Sequence, residues 1–369
     1  MVYADYASTC PIVKYPQQLY RDVLGEGYFL NPNANYAYKE KRLLSEAENR
    51  VKKAIGAKGG KVIFGGTSSQ LIENLMTAVA EETGFYHIVC SSYEHDSCFR
   101  FHQGTVRDTV LLNGLLETYQ DIPDCSDQLF TIWQGVNNIT GEIFPVKDIG
   151  HLCHEYNAFY ICDATALLGH VAIEPNIDDW CDFLILDGHK IGTELGIGCC
   201  WISDRLDKWL NSFKLHGTPN LAGALAMMQA VEDACDKDNL SERITHFNKM
   251  QDCLINCLVK NRIDFRLVPD DNTCSSEHEF TYAINAIRLP GFNARVLQSY
   301  LASKQVYVGL GQASCADDAD RRVLCNGYEL SEQEADEVIR ISFDGNSNIE
   351  DVEILVENIC EFKKNYLDN

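Results

Sequence analysis

The sequence predicts an α/β fold, with a large domain built on a mostly parallel sheet flanked by helices and a smaller α+β domain. Short apolar runs alternate with helical periodicity through the middle of the chain, as in a parallel sheet covered on both faces. After about residue 237, helical segments interleave with only two strand-like runs. Because 369 residues are enough for two domains, we expect a large domain at 12–236 and a small one formed by 1–11 with 237–369.

The predicted sheet of the large domain begins at residues 61–64, a run rich in β-formers. A glycine-rich turn at 65–69 then leads into a helix, because apolar residues from Ile72 to Val79 repeat at the spacing of one helix face. The other predicted strands are 87–90, 129–133, 158–162, 183–186 and 198–202, with a helix from Val146 to about Tyr156.

The small domain is expected to hold helices near 241–260 and 293–304 and strands at 282–287 and 338–343. A final helix places apolar residues from Val352 to Ile359 on one stripe. Asn348 precedes this helix and is suited to cap its N-terminus.

Composition and charge exclude several classes of protein. The net charge of −23 argues against a nucleic-acid partner. No apolar stretch is long enough to span a bilayer, and the first residues lack the regions of a signal peptide. The 16 cysteines include no CxxC pair and no spacing typical of a metal site. We therefore expect a reduced, cytoplasmic protein without metal or membrane partner, whose buried thiols include Cys153, Cys199, Cys200, Cys253 and Cys257.

A lysine and an aspartate each follow a predicted strand. Asp163 comes directly after the run at 158–162, and Lys190 follows the run at 183–186. This placement suits pyridoxal phosphate. The lysine would hold the aldehyde as a Schiff base, and the carboxylate would keep the pyridine nitrogen protonated so that the ring acts as an electron sink. Taken alone, the lysine motif also fits a surface lysine after a strand.

Three loop segments offer further contacts to such a cofactor. The turn with Gly66 and Thr67 exposes N–H groups at a helix start, where a phosphate fits, although a hydroxyl-capped turn explains the same residues. His95 would stack on the pyridine ring and move protons, or be an ordinary loop histidine. Asn138, in the pair Asn137-Asn138, would bond the phenolic oxygen of the cofactor, or shape a turn.

Nine segments lie in the order found in one enzyme family. They are 3–9, 31–57, Gly66-Thr67, Glu94-His95, 136–145, 163–165, 188–190, Gly217-Thr218 and 339–342. Together they resemble the class V aminotransferase group of fold-type I pyridoxal phosphate enzymes, most closely the cysteine desulfurases. The resemblance covers nearly the whole chain and implies the pyridoxal phosphate transferase-type fold and a homodimer.

The resemblance also implies roles for individual residues. The cofactor-binding residues would be Gly66, Thr67, His95, Asn138, Asp163, His189, Lys190 and, across a dimer interface, Thr218. The substrate-binding residues would be Ala7, Asn138 and Arg340, whose guanidinium is suited to clamp a carboxylate with two hydrogen bonds. Lys190, His95 and Cys315 would be catalytic. The implied partners are a small amino-acid substrate and a protein that accepts sulfur.

Three departures from the family pattern bear on the reaction. Ala166 stands where the desulfurases have a glutamine against the phenolic oxygen, and Asp187 stands where a serine or threonine usually bonds the phosphate. A carboxylate beside a phosphate is repulsive unless a cation or proton intervenes. The stretch before Gly217, usually glycine-rich and arginine-containing, is shortened to 212–216.

A desulfurase also needs a thiolate that takes the substrate sulfur as a persulfide. The loop at 309–316 lies where the family carries Gly-Ser-Ala-Cys, but Ser314 takes the position of the cysteine and Cys315 falls one residue later. One residue spans about 3.3–3.8 Å, which loop motion can absorb. The alternative is that one of many cysteines falls there by chance.

The sequence therefore predicts a pyridoxal phosphate enzyme acting on a small amino acid, with conversion of L-cysteine to L-alanine and a Cys315 persulfide as its reaction. In this prediction Lys190 removes the α-proton as general base and Arg340 anchors the carboxylate. The nearest alternatives are other class V reactions: transamination, β-elimination by a cysteine or selenocysteine lyase, and desulfination. The alternative from a different class is a non-catalytic scaffold of the same fold, prompted by Asp187 and Ala166.

Overall fold

The chain folds into two compact units in a computed structural model. The structure describes residues 1–11, 13–27, 31–83, 86–99, 106–112, 128–206, 218–269, 279–311 and 321–368. The large unit consists of 11–135 and 145–239, and the small unit of 1–10, 136–144 and 240–369. The segment 136–144 thus groups with the small unit. The domain boundaries expected from the sequence, 12–236 and 1–11 with 237–369, stay a prediction.

The strands, in chain order, are β1 (Val2–Ala4), β2 (Lys61–Gly65), β3 (Tyr86–Ser91), β4 (Val106–Leu112), β5 (Gln128–Gln134), β6 (Glu142–Ile143), β7 (Phe159–Asp163), β8 (Phe183–Asp187), β9 (Gly198–Ile202), β10 (Arg266–Val268), β11 (Glu279–Phe280), β12 (Ile284–Arg288), β13 (Val306–Leu310) and β14 (Val338–Ser342). The α-helices are α1 (Lys14–Gly25), α2 (Tyr38–Ala54), α3 (Ser68–Thr83), α4 (Val146–Glu155), α5 (Leu221–Cys235), α6 (Lys237–Lys260), α7 (Ala294–Ser303), α8 (Glu332–Ala335) and α9 (Ile349–Tyr366).

The large unit is built on a seven-stranded sheet in the order β2-β9-β8-β7-β5-β3-β4. Strand β9 runs antiparallel to β2 and β8, and the other neighbours pair in parallel. Every residue of β7, β8 and β9 is buried. Continuous apolar runs are typical of parallel strands covered on both faces, so the sheet fits the pattern from which the fold was predicted.

Helix α3 packs its apolar face on this sheet. Leu71, Ile72 and Leu75 join Phe183 and Ile185 of β8 in one buried cluster. Full burial of a side chain of this size contributes roughly 1.5–3 kcal/mol. The cluster therefore holds the first turn of α3 against the end of β8, where the candidate site lies.

The small unit is built on a five-stranded sheet in the order β1-β13-β14-β12-β10. Strands β1 and β13 are parallel, and the other pairs are antiparallel. Helix α9 begins after Asn348, whose Oδ1 accepts a hydrogen bond of 2.9 Å from the amide of Asp351. Its apolar stripe, from Val352 to Ile359, is buried. Both the N-cap and the stripe were predicted, and both are confirmed.

The cysteines divide by depth. Cys153, Cys199 and Cys200 are buried thiols as predicted, and burial raises the pKa of Cys153 to about 12. Cys253 and Cys257 were also expected to be buried, but they are only half-buried, with their sulfur atoms 4.0 Å apart on α6. The helix turns this pair toward the edge of its apolar face.

Among the described residues, no helix has the length and hydropathy to cross a membrane.

Asp182 is a fully buried carboxylate at the start of β8. It accepts hydrogen bonds from the Tyr160 amide at 2.9 Å and the Ser203 hydroxyl at 3.2 Å. Nη1 of Arg205 and Nε2 of His154 each lie 2.9 Å from it. One side chain therefore connects the beginning of β7, the beginning of β8 and the end of β9.

We expect Asp182→Ala to lower the free energy of unfolding by about 3 kcal/mol, because it leaves a partly buried arginine and an amide without their acceptor. Urea unfolding followed by tryptophan fluorescence measures the loss. The control is Asp264→Ala, which breaks an ion pair with Arg266 whose side chains are 65% and 57% exposed. That change should cost about 0.5 kcal/mol or less. Equal losses in the two variants would contradict the role given to Asp182.

Candidate active site

The polar residues of the large unit gather where three neighbouring parallel strands end. Strands β5, β7 and β8 end at Gln134, Asp163 and Asp187. The register pairs Gln134 with Asp163, and Asp163 with Ile185. Parallel strands share one carboxyl edge, which is where open α/β sheets bind their ligands. Lys190 follows β8 in a short 3₁₀ turn, Gly188–Lys190, so the sequence-predicted lysine and aspartate come from adjacent strands.

Asp163 presents a carboxylate in a nearly dry environment. It is 7% exposed, and its Oδ1 accepts a hydrogen bond of 2.9 Å from the amide of Thr165. The hydroxyl oxygen of Thr165 is buried and has no hydrogen-bond partner among the described residues. A buried carboxylate beside an unsatisfied hydroxyl is a setting for a polar ligand, because each buried polar atom is expected to have a partner.

Glycine is required at the turn that carries Lys190. A Cβ atom on Gly188 would lie 2.1 Å from Oγ1 of Thr193 and 2.7 Å from the carbonyl oxygen of Ile197. The amide of Gly188 also donates a hydrogen bond of 2.9 Å to that carbonyl. The strand-to-turn geometry at Lys190 therefore depends on a close approach that no larger residue permits.

His189 is held as a neutral ring. Burial lowers the pKa of His189, and the positive charge of Lys190 lowers it further. The carboxylate of Asp187, whose Oδ1 lies 3.6 Å from Nε2 of His189, acts in the opposite direction. Its side chain is 20% exposed. Next to Lys190, His189 is thus a hydrogen-bonding group rather than a second cation.

His95 has a defined tautomer. The amide of Ser97 donates to Nδ1 at 3.2 Å, and the Ser97 hydroxyl lies 3.0 Å from the same atom. Because Nδ1 accepts from an amide, the proton of the neutral ring lies on Nε2. His95 immediately precedes the 3₁₀ turn Asp96–Phe99, which follows strand β3. The residue is half-buried and presents a ring with an N–H at its other end.

The predicted phosphate turn has acceptors of its own. The amide of Thr67 donates to Oε1 of Gln70 at 3.1 Å. The amide of Ser68 donates to Oδ2 of Asp187 at 2.9 Å. Asp187 is 2% exposed, and its Oδ1 lies 3.4 Å from the amide of His189. The sequence showed Asp187 only as a repulsive neighbour of a phosphate, whereas the structure makes it an acceptor for the N-terminus of α3.

In the small unit, Arg340 lies on β14 with its side chain 7% exposed. Its Nη2 is 2.8 Å from Oδ1 of Asp5 and also donates to the hydroxyl of Ser8. Its Nη1 donates to the carbonyl oxygen of Asn138 at 2.9 Å. The Nε atom is buried without a partner among the described residues. Asp5 and Ser8 were missed as site residues, although they flank Ala7 in a segment that the sequence had singled out.

Gly309 faces this arginine across the sheet. The register pairs the two residues, and a Cβ on Gly309 would lie 2.6 Å from Oδ1 of Asp5 and 2.8 Å from Nε of Arg340. The guanidinium and its carboxylate therefore lie directly on the backbone of β13. Any side chain at this position would have to push the ion pair aside.

The two asparagines have different tasks. Oδ1 of Asn137 accepts from the amides of Ile139 and Thr140, at 2.8 and 3.0 Å, and so shapes a turn. Oδ1 of Asn138 is buried with no partner among the described residues. The amide of Ala7, also named from the sequence, donates to the hydroxyl of Ser342 at 2.9 Å and is buried. Turn chemistry thus explains Asn137, whereas Oδ1 of Asn138 takes no part in that turn among the described residues.

Of three further residues named from the sequence, the structure describes one. Thr218 is exposed and precedes α5. Cys315, the predicted nucleophile, and Gly217 lie outside the described residues. Among the residues that are described, no cluster of three or more His, Cys, Asp or Glu side chains is arranged to hold a metal.

The residues fit one end of pyridoxal phosphate better than the other. For the ring and aldehyde, the chain offers the buried carboxylate of Asp163, the amine of Lys190 and, nearby, the unsatisfied hydroxyl of Thr165. For the phosphate, the two amides of the turn at Thr67 and Ser68 are engaged by side chains of the chain itself. The ring end fits as it stands, and the phosphate end requires these side chains to move.

We compared the chain with known proteins by sequence and by structure. A relative named cysteine desulfurase IscS, from Dictyoglomus turgidum, is 28% identical over 304 residues, covering 76% of each chain. A putative cysteine desulfurase IscS 1 from Bacillus subtilis is 24% identical and covers 98% of each. Two solved structures, a NifS-like protein and a NifS-like protein from Rickettsia africae, superpose with TM-scores of 0.81 and 0.80 at 19% identity. They cover 98% and 99% of this chain, and 99% of their own chains.

The structural likeness confirms the predicted fold class, a mostly parallel sheet flanked by helices with a smaller α+β part. The sequence model described as Aminotransferase class-V matches residues 2–216, more than half of the chain. That match confirms the resemblance drawn from the nine segments. The chain belongs to the class V aminotransferase family.

Proposed function

We propose that this class V protein is a pyridoxal phosphate-dependent cysteine desulfurase, which converts L-cysteine to L-alanine and keeps the sulfur as a persulfide on Cys315. The observation that carries the proposal is the placement of Asp163 and Lys190 after adjacent parallel strands in a chain of this family. The desulfurase names of relatives that match 76% and 98% of the chain support the reaction type.

The contacts to the aldehyde and the pyridine ring are assigned to residues of the large unit. When bound, pyridoxal phosphate supplies an electron sink for the carbon that bears the substrate amine. Lys190 would hold the aldehyde carbon and later carry the α-proton as general base. Asp163 would accept a hydrogen bond from the protonated ring nitrogen, and its burial excludes the water that weakens such a bond. His95 would stack on the ring and present Nε2–H to the reacting groups.

The remaining contacts concern the phosphate and the phenolic oxygen. Gly66, Thr67 and His189 would surround the phosphate, and Thr218 of a second copy would reach it across a homodimer interface. The side-chain amide nitrogen of Asn138 would donate a hydrogen bond to the phenolic oxygen, because the amide oxygen can only accept. Homodimerisation and the role of Thr218 rest on the family resemblance.

The substrate carboxylate is assigned to Arg340. Its Nε has no partner among the residues that the structure describes and is a remaining donor. Exchange of Asp5 for the substrate would add Nη2, which gives the two parallel bonds that a carboxylate prefers. Ala7 would border the same substrate at its backbone. Because Arg340 is almost fully buried, a carboxylate bound to it would lie in a low dielectric and be held strongly.

Cys315 is assigned the sulfur chemistry. Its thiolate would attack the sulfur of the substrate, forming an S–S bond as the substrate C–S bond breaks. The electron pair left on the carbon would take up a proton, and the new C–H bond would complete alanine. Buried thiols are poor candidates, because burial raises the pKa of Cys153, Cys162 and Cys199 far above the ordinary range. An acceptor protein would then take the sulfur. A reducing, cytoplasmic location suits such a thiol.

Cofactor binding predicts a visible spectrum. Added pyridoxal phosphate should give the pure protein a band in the visible range that borohydride abolishes, because reduction fixes the bond to Lys190. Lys190→Ala should lack the band. The control Lys58→Ala, at an exposed lysine of the same unit, should keep it. A wild-type protein that stays colourless would favour the non-catalytic scaffold.

Desulfurase activity predicts alanine from cysteine. We expect equal amounts of alanine and protein-bound persulfide in a single turnover, and no persulfide in Cys315→Ser. The control Cys325→Ser, at a half-buried thiol in the small unit, should behave as the wild type. Pyruvate and sulfide without alanine would indicate β-elimination, and no reaction with cysteine would favour transamination. A persulfide in Cys315→Ser would exclude Cys315 as the nucleophile.

Carboxylate binding predicts a specific loss in Arg340→Lys. The ammonium group retains the charge but cannot make two parallel bonds, so KM for cysteine should rise about tenfold with a smaller change in kcat. Arg288→Lys is the matched control. Arg288 lies on β12, the strand next to β14, and it also pairs with carboxylates, those of Glu334 and Glu337. If KM rose equally in both variants, the cause would be a disturbance of the sheet and not the loss of a contact with the substrate.

A further inference from the structure

The N-terminus of α3 already holds an anion, and that anion belongs to the chain itself. Oδ2 of Asp187 accepts from the Ser68 amide at 2.9 Å, and the carboxylate is 2% exposed. The preceding amide, of Thr67, donates to Oε1 of Gln70. Both acceptors are side-chain oxygens that lie where a helix N-terminus ordinarily binds an external anion.

A phosphate and the Asp187 carboxylate compete for the same donors. The Ser68 amide has one hydrogen to donate, so a phosphate oxygen can accept it only after the carboxylate withdraws. If the carboxylate stayed nearby, the two negative charges would repel each other strongly in this buried place. Because Asp187 is the last residue of β8, its main chain is fixed by pairing with Gly198, and only its side chain can move.

The same carboxylate also fits a purely structural role as a helix cap from a distant strand. That role alone predicts that removing the carboxylate lowers stability, with or without phosphate. Competition with a phosphate predicts something more: the loss should be reversed by phosphate ions. The two roles are therefore separated by the response of the protein to phosphate.

We propose that Asp187 is an internal phosphate mimic, which occupies the anion site at the start of α3 and admits a phosphate group only when its carboxylate leaves the Ser68 amide. That the incoming phosphate belongs to pyridoxal phosphate rests on the function proposed above. The competition itself does not, because it concerns only residues of this chain and a phosphate anion. The chain consequently discriminates little between pyridoxal phosphate and pyridoxal.

The first test uses inorganic phosphate and the unliganded protein. Thermal midpoints are measured in rising phosphate at ionic strength matched with chloride, for the wild type, Asp187→Ser and Asp187→Asn. The midpoints of both variants should rise with phosphate, as for any ligand that binds only the folded state, while the wild type changes little. Asp187→Asn keeps the shape of the side chain and so covers the case in which the serine variant is unstable.

The matched control is Asp178→Asn. Asp178 is another carboxylate of the large unit that accepts from backbone amides, those of Lys58 and Gly59 at 2.8 and 2.7 Å, outside the turn at 65–68. This variant should lose stability without gaining a response to phosphate. The proposal is overturned if the wild type is stabilised by phosphate as much as the Asp187 variants, or if those variants gain no response.

The second test compares two aldehydes by absorbance titration. Asp187→Ser and Asp187→Asn should bind pyridoxal phosphate about tenfold more tightly than the wild type, since relief of one buried repulsion is worth at least a factor of this order. Affinity for pyridoxal, which lacks the phosphate, should be unchanged. Equal shifts for both aldehydes would overturn the proposal. If no protein binds either aldehyde, the proposed function fails, and the phosphate titration still decides the role of Asp187.

Discussion

Parallel pairing of β5, β7 and β8 is the constraint on which the candidate site of the large unit depends. The register sets Asp163 between Gln134 and Ile185, and it brings the carboxyl ends of the three strands to one edge. A slip of one residue would turn Asp163 to the other face of the sheet and exchange it for a buried apolar neighbour. The apolar residues that fix the register therefore also fix the chemistry, although none of them contacts a ligand.

Buried polar groups at the start of α3 and at Arg340 have partners from the chain itself. The Ser68 amide has Asp187, and the Arg340 guanidinium has Asp5, Ser8 and the carbonyl of Asn138. An unpaired buried guanidinium would cost several kcal/mol, so a folded chain without ligands needs such partners. A ligand that binds there replaces these internal partners. Its binding free energy therefore reflects only the difference between two hydrogen-bonded states.

The strands that carry the candidate site could be predicted from the sequence because buried parallel strands are uniformly apolar, and β7 and β8 are apolar up to their last residue. In the small unit, β1, β10 and β13 were not predicted. Asp163 and Lys190 could be singled out because Asp163 directly follows such a run and Lys190 lies in the turn after another. The partners of Arg340 could not be predicted, because Asp5 and Ser8 lie 335 and 332 residues away from it along the chain. Only the folding of the small unit brings them together. Asp187 shows the same limit. Its sequence position revealed a charge, but its hydrogen bond to Ser68 depends on side-chain direction at the end of β8, which no pattern encodes.

The contrast between the two ends of the cofactor follows from how each end is bound. A ring nitrogen and an aldehyde need one charge and one amine in fixed positions, and the register of two strands supplies both. A phosphate needs several donors that are not already engaged, and a helix N-terminus offers few. A serine at 187 would leave the Ser68 amide available, but that amide would then lack its carboxylate acceptor in the unliganded protein. Under the role proposed for Asp187, the aspartate satisfies the unliganded turn at the expense of phosphate affinity, and occupancy of the site would then follow the cofactor concentration more than tight binding.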